Sequence, residues 1–245
     1  ITQHVKRGSV LQTLTEPTTI DFENTSIKYL TQGKTMSQLT ASEKTTLIER
    51  WQAVTAQLPP NVTLLAVSKT YPSEAIATLY KAGQTAFGEN YVQEALTKIA
   101  ELDDLKHSEN PLQWHYIGHI QRNKTRDLAE HFDWVQGVDR LIIAQRLNEQ
   151  RPENLPPLNI CIQVNIDDEA SKSGCTPDAL PELVQAMSQL PKLRLRGLMV
   201  IPAPVAKHAN QTAFTQTHLL FENARPHHAK PDDWDTLSMG MSGDM

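Results

Sequence analysis

Short apolar runs alternate along most of the chain with segments whose apolar residues recur at helical spacing. The run Val62–Val67 is nearly continuous and rich in branched residues, which is typical of a strand buried on both faces. Residues 45–57, just before it, carry Leu47, Trp51 and Val54 at helical spacing. The first elements predicted are therefore a helix followed by a buried strand.

The same alternation continues to the end of the chain. It predicts seven strands, at residues 62–67, 85–87, 113–117, 134–137, 158–165, 193–201 and 236–239. It predicts helices at residues 45–57, 73–82, 92–99, 123–130, 141–149, 179–190 and 213–223. Strands that alternate with helices through short connections favour a parallel α/β sheet. A doubly wound open sheet fits seven strands, and so does a TIM-type (β/α) barrel without its eighth strand; periodicity does not choose between them.

The first 40 residues differ in composition from the rest. Thr, Ser, Gln and charged residues dominate there, so we expect residues 1–40 to be a disordered extension and residues 41–245 to form a single domain. The N-terminal residues have no apolar signal core. No apolar stretch of the sequence is long enough to span a bilayer, so no membrane association is expected.

Charge and cysteine content narrow the function classes. The formal net charge is −5 with both signs interspersed, whereas binding of nucleic acid needs a clustered basic face. We therefore expect no nucleic-acid partner. Cys161 and Cys175 match neither zinc-site nor disulfide spacing. Two reduced thiols and the missing signal favour a cytoplasmic protein.

Ligands of parallel α/β folds bind at the carboxyl ends of the strands. Lys69 directly follows the first predicted strand, where burial would favour a neutral amine that reacts with aldehydes; a lysine that extends to solvent is the alternative. The turn at 238–243 offers hydroxyls and backbone amides that could hold a phosphate, although it could also be an ordinary polar loop. The acidic patch at 167–169 lacks the spacing of a calcium site, so no metal is expected. We interpret His115 as a core histidine and expect the pair at 227–228 to lie at the surface.

Six segments carry motifs in a fixed order. They are LLAVSKT (64–70), FGENYVQE (87–94), WHYIG (114–118), QVNI (163–166), RGLM (196–199) and LSMGMS (237–242). Together they resemble the pyridoxal-phosphate homeostasis protein family, and the match runs from Leu64 to the last residue. Several motifs in the right order are far more specific than any one of them.

The resemblance implies a barrel like the N-terminal domain of alanine racemase, and pyridoxal 5'-phosphate (PLP) as the cofactor. It implies that Lys69 forms the internal aldimine with PLP. It implies five further cofactor contacts: Asn90, Ile117 and Met199 near the ring, and Ser238 and the backbone at Gly240 on the phosphate. Family members continue beyond the last motif with a helix and an eighth strand, whereas this sequence stops at Met245. We therefore expect a barrel that lacks the eighth strand and has two unpaired strand edges.

The function implied is that of a PLP carrier in vitamin B6 homeostasis, and we expect a monomer without catalytic residues of its own. A racemase needs a second base on the opposite ring face, and in alanine racemase a separate domain supplies it. One alternative is a fold-type III PLP enzyme such as an amino-acid racemase, with Lys69 as its single base. A second alternative is a truncated remnant that no longer binds the cofactor.

Overall fold

The computed structural model describes residues 2–6, 39–166, 173–201 and 207–240. Its strands form a closed barrel in which spatial order follows sequence order. The strands are β1 Thr2–Lys6, β2 Val62–Val67, β3 Ala86–Glu89, β4 Gln113–Tyr116, β5 Trp134–Val138, β6 Leu158–Gln163, β7 Leu193–Met199 and β8 Thr236–Met239. From β2 to β8 each strand pairs in parallel with the next. The seven predicted strands are thus confirmed, and the sheet is a barrel rather than an open doubly wound sheet.

Helices follow the strands as predicted. They are α1 Ala41–Thr55, α2 Ser73–Lys81, α3 Val92–Glu101, α4 Thr125–His131, α5 Leu141–Gln150, α6 Leu180–Met187 and α7 Lys207–Ala224. α1 begins with a capping box, in which Glu43 N donates to Thr40 Oγ1 at 3.3 Å and Thr40 N donates to Glu43 Oε2 at 2.8 Å. None of the described helices is both long enough and apolar enough to cross a bilayer.

β1 corrects the expectation for the N-terminal segment. It pairs antiparallel with β2, where Val5 lies opposite Val62, and with β8, where Lys6 lies opposite Thr236. The expectation that residues 1–40 lie outside the fold was therefore wrong for residues 2–6, and residues 7–38 are outside the described residues. The two expected free edges are both paired, because β1 occupies the gap between β8 and β2 and its backbone satisfies their N–H and C=O groups.

Side chains pack on both faces of the barrel wall. Its outer face packs against the helices, and fully buried side chains such as Phe87 and Ile160 belong to this layer. Inside the barrel, Trp134 forms a separate cluster with Cys161 and Met199. His115 stacks on Trp134 with ring centroids 5.2 Å apart and shares a 2.9 Å hydrogen bond with Gln136. The interpretation of His115 as a core histidine is confirmed.

His228 is buried, although the sequence suggested a surface position. Only 4% of the residue is exposed. A 3.0 Å hydrogen bond joins Nε2 to the carbonyl oxygen of Leu195, and Nδ1 accepts from the backbone N–H of Lys230 at 2.8 Å. Because Nδ1 accepts, Nε2 carries the proton and the ring is neutral. His227 is exposed, as expected.

Arg151 directly follows α5, and its side chain caps the C-terminal end of α4. Its guanidinium donates to the carbonyl oxygens of Ala129 at 2.6 Å, Phe132 at 2.9 Å and Pro156 at 2.9 Å. The carbonyls at the end of a helix lack partners within the helix, so this buried side chain satisfies groups that would otherwise be unpaired.

Candidate cofactor site

The six residues expected at the cofactor lie around one end of the barrel. Lys69, Asn90 and Ile117 follow β2, β3 and β4, while the remaining three belong to the last two strands: Met199 ends β7, Ser238 lies in β8 and Gly240 follows it. Because β2 to β8 are parallel, all of these positions meet at the carboxyl-terminal mouth. The structure therefore brings them to one rim, in two groups separated by β1 between β8 and β2.

Lys69 lies in a tight turn. The backbone N–H of Tyr71 donates to the carbonyl oxygen of Ser68 at 3.0 Å, and Thr70 has a φ of 67°. These are the features of a type II turn with Lys69 at its second position. The expectation that Lys69 would be buried was wrong: the turn carries the residue beyond the end of β2, where its side chain is exposed.

A buried ion network lies behind this turn. Lys98 of α3 donates to Glu89 Oε1 at 2.7 Å, to Glu94 Oε1 at 2.6 Å and to the carbonyl oxygen of Ser68 at 2.8 Å. Burial raises the pKa of the Glu89 carboxyl, while its hydrogen bonds with Lys98 and Ser68 oppose that effect. The sequence interpretation placed Glu89 and Glu94 in the motif FGENYVQE but gave neither of them nor Lys98 a role, although a Glu four residues before a Lys on a helix is a recognisable signal.

Glycines bring two strand ends into close contact on this side of the mouth. A Cβ added to Gly118 would lie 2.4 Å from the backbone oxygen of Asn90, so only glycine fits there. A Cβ on Gly88 would lie 3.2 Å from Ile117 Cδ1, which places the Ile117 side chain over β3. Asn90 Oδ1 is buried and has no hydrogen-bond partner among the described residues. An acceptor of this kind is suited to a donor on a bound molecule.

The opposite side of the mouth is built by β7 and β8. Met199 and Ser238 are neighbours in the pairing of the two strands, and both are buried. The Ser238 hydroxyl donates to Gln136 Oε1 at 2.6 Å, so its proton points into the barrel. Gly240 has a φ of 97°, in the left-handed region that glycine adopts readily.

Part of the predicted chemistry lies outside the described residues. This applies to the acidic patch at 167–169 and to the end of the predicted phosphate turn, residues 241–243. Within the described ranges, no group of three His, Cys, Asp or Glu residues could hold a metal ion. Cys161 and Cys175 are free and buried, and burial raises the pKa of the Cys175 thiol to about 12.

Comparison with known proteins agrees with this architecture. Residues 44–245 match the family "Alanine racemase, N-terminal domain", so the fold is a barrel of that class. A pyridoxal phosphate homeostasis protein of Pseudomonas aeruginosa is 57% identical over 188 residues, which are 76% of this chain and 77% of that protein. The protein of the same name from Escherichia coli is 52% identical over 188 residues, covering 76% and 78%. The chain belongs to the pyridoxal phosphate homeostasis protein family.

A solved structure of a relative supports the same conclusion. PipY of Synechococcus elongatus, solved without PLP, is 39% identical and superposes with a TM-score of 0.73, covering 81% of this chain and 90% of PipY. The structure of PipY with PLP bound superposes with a TM-score of 0.68 over the same shares. The expected barrel of the alanine racemase N-terminal kind, with seven parallel strands, is confirmed.

Proposed function

We propose that this chain binds PLP at the carboxyl-terminal mouth of its barrel, through the amine of Lys69, and serves intracellular PLP (vitamin B6) homeostasis. The observation that carries the proposal is the convergence of Lys69 with the five other expected contact residues on one rim of the barrel. Family membership and the PLP bound to PipY support the choice of cofactor.

The groups at the mouth suit PLP. When bound, PLP supplies an aldehyde to which a lysine amine attaches covalently. Asn90 Oδ1 is a buried acceptor that a ring hydroxyl would satisfy, while Ile117 and Met199 offer apolar contact to the ring. The backbone N–H groups around Gly240 are the proposed phosphate donors. Ser238 would join them by releasing Gln136, to which its hydroxyl now donates.

An exposed Lys69 favours a carrier over an enzyme. Free PLP reaches a solvent-accessible amine directly, and so does any amine that takes the cofactor away, so loading and release are both easy. Tyr116, beside the mouth, is a poor second base, because burial raises its pKa to about 12 and its hydroxyl donates to the carbonyl oxygen of His119 at 3.0 Å. We place this carrier in the cytoplasm as a monomer.

The test is a titration of the purified chain with PLP, followed by visible absorption, borohydride reduction and peptide mapping. We expect a visible band of lysine-bound cofactor, and a reduced adduct on the peptide that contains Lys69. Lys69→Ala should abolish both. Lys81→Ala is the matched control, because Lys81 is also exposed and ends α2, the helix that follows the Lys69 turn.

Each outcome separates the candidate functions. An adduct on another lysine in the Lys69→Ala variant would show that the attachment point is wrong. A folded wild-type chain that gives no band would be the non-binding remnant. Racemisation of added L-amino acids by the loaded protein, measured by chiral chromatography and lost in Lys69→Ala, would establish the fold-type III enzyme instead.

A further inference from the structure

We propose that Glu89, Glu94 and Lys98 form a positioning network that holds the Lys69 turn in the geometry required for cofactor attachment. The inference rests on the proposed function of Lys69. None of the three side chains needs to touch the cofactor, so they are positioning residues rather than catalytic ones. Nothing in the motif comparison or in the family's name assigns this role.

The Lys98 ammonium has all of its donors in use. Its three N–H groups have three acceptors at 2.6–2.8 Å: Glu94 Oε1, Glu89 Oε1 and the carbonyl oxygen of Ser68. The side chain is 4% exposed. An ammonium group that is buried and fully paired does not compete with Lys69 for an aldehyde, although α3 places it close behind the turn.

The network contacts the residues on both sides of Lys69. On the N-terminal side, Ser68 gives its carbonyl oxygen to Lys98, and its hydroxyl donates to Glu89 Oε1 at 2.7 Å. On the C-terminal side, the backbone N–H of Thr70 donates to Glu94 Oε1 at 2.6 Å. The two carboxylates share one ammonium, so the three side chains act as a single clamp on residues 68 and 70.

Thr70 shows why a clamp is needed. Its φ of 67° is unfavourable for a β-branched residue and persists only where surrounding contacts impose it. The hydrogen bond from Thr70 N to Glu94 is such a contact. Buried ion pairs contribute little net stability, because desolvation offsets their attraction. The network of Glu89, Glu94 and Lys98 therefore acts mainly by fixing the conformation of the Lys69 turn.

Glu94→Ala is the variant that tests the clamp, with Glu130→Ala as the matched control. Both glutamates accept from a basic residue four positions away on a helix, and their side chains are 31% and 34% exposed. Glu130 pairs with Arg126 on α4 and does not contact the Lys69 turn. Glu94→Gln is the conservative variant, because its amide oxygen can still accept from Thr70 N.

The readout is the rate of appearance of the visible PLP band, measured beside the midpoint of urea unfolding. Loss of a charge-assisted hydrogen bond corresponds to roughly a tenfold effect, so attachment in Glu94→Ala should slow about tenfold. Glu94→Gln should recover most of the rate, and Glu130→Ala should match wild type. Hydrogen exchange at the Thr70 amide, measured without PLP, should accelerate in Glu94→Ala alone.

The proposal is overturned if Glu94→Ala attaches PLP as fast as Glu130→Ala, or if exchange at Thr70 does not change. It is also overturned if Glu94→Gln fails to recover the rate, because the side chain would then act through its charge alone. If the wild-type chain never gives the visible PLP band, the proposed function itself is wrong. In that case the exchange experiment still decides whether the network restrains the turn.

Discussion

Replacing Gly118 by alanine should disturb the site through the backbone of Asn90. The added Cβ would lie 2.4 Å from the backbone oxygen of Asn90 and 3.0 Å from its Cα, whereas ordinary contacts of a Cβ are 3.4–4 Å. Both atoms belong to the backbone of the segment after β3, which cannot rotate away, and the Tyr116 hydroxyl oxygen lies 3.0 Å from the same Cβ. The segment must therefore move by about 1 Å, and Asn90 Oδ1 must move with it.

The expected cost follows from the kind of atom that is displaced. Overpacking that forces a backbone shift costs about 1–3 kcal/mol, and we expect Gly118→Ala in the upper half of that range. Gly88→Ala is the matched control, because its Cβ would meet Ile117 Cδ1 at 3.2 Å, the far end of a flexible side chain. That variant should cost less than about 1 kcal/mol, since the isoleucine can give way.

Urea unfolding followed by circular dichroism measures the stability of both variants, and titration with PLP measures the site. Gly118→Ala should lower the unfolding midpoint at unchanged slope and also weaken PLP binding. The reasoning is refuted if Gly118→Ala is as stable as Gly88→Ala and binds PLP as well as the wild-type chain. A loss of stability with unchanged PLP affinity would show that Asn90 does not contact the cofactor.

Three further predictions concern the frame of the barrel. Burial lowers the pKa of His228 from its usual 6.5, so the unfolded chain binds this proton more readily and stability is lost as pH falls below 6.5. Between pH 7.5 and 5.5, His228→Gln should therefore lose less stability in urea than wild type; an equal loss contradicts a neutral buried ring. β1 pairs with a strand on each side, and His4→Pro removes a backbone N–H from its centre. This variant should lower the free energy of unfolding by on the order of 1–3 kcal/mol. An unchanged unfolding midpoint would mean that β1 does not close the barrel. Arg151→Met leaves three carbonyl oxygens without their donor and should lower the free energy of unfolding by on the order of 3 kcal/mol. The control is Arg126→Met, at an exposed position, which should lower it by less than about 0.5 kcal/mol. Equal losses in the two variants would show that the buried guanidinium contributes nothing to stability.

The sequence predicts the parallel part of the fold well, because its signals are local. A buried strand such as β6 appears as a continuous apolar run, and helix ends appear as proline, glycine or a capping residue. β1 could not be found in this way. Thr2–Lys6 has only weak alternation, and the two open edges that it pairs lie far away in the sequence.

The positions of the candidate residues at the strand ends were predicted better than the exposure and direction of their side chains. Strand-end placement and the motifs together located Lys69 and Asn90, but exposure of Lys69 depends on a turn that the strand pattern does not show. The inward direction of Ser238 could have been read from alternation in β8, where Leu237 between Thr236 and Ser238 packs outward. The burial of Lys98 could not have been predicted, because a Glu and a Lys four residues apart form the same sequence pattern on a solvent-exposed helix.

The pairing of β1 also bears on how the chain folds during synthesis. β1 leaves the ribosome before the strands it pairs with, and one of its two partners, β8, is made only after the six other parallel strands. Contacts between such distant segments form slowly, because the entropy of closing a very long loop is lost before the contacts can stabilise the chain. Until then both β2 and β8 present open edges on which another chain can add a strand. We therefore expect closure of the barrel by β1 to be a late step, and the interval before it to be when this protein is most prone to aggregate.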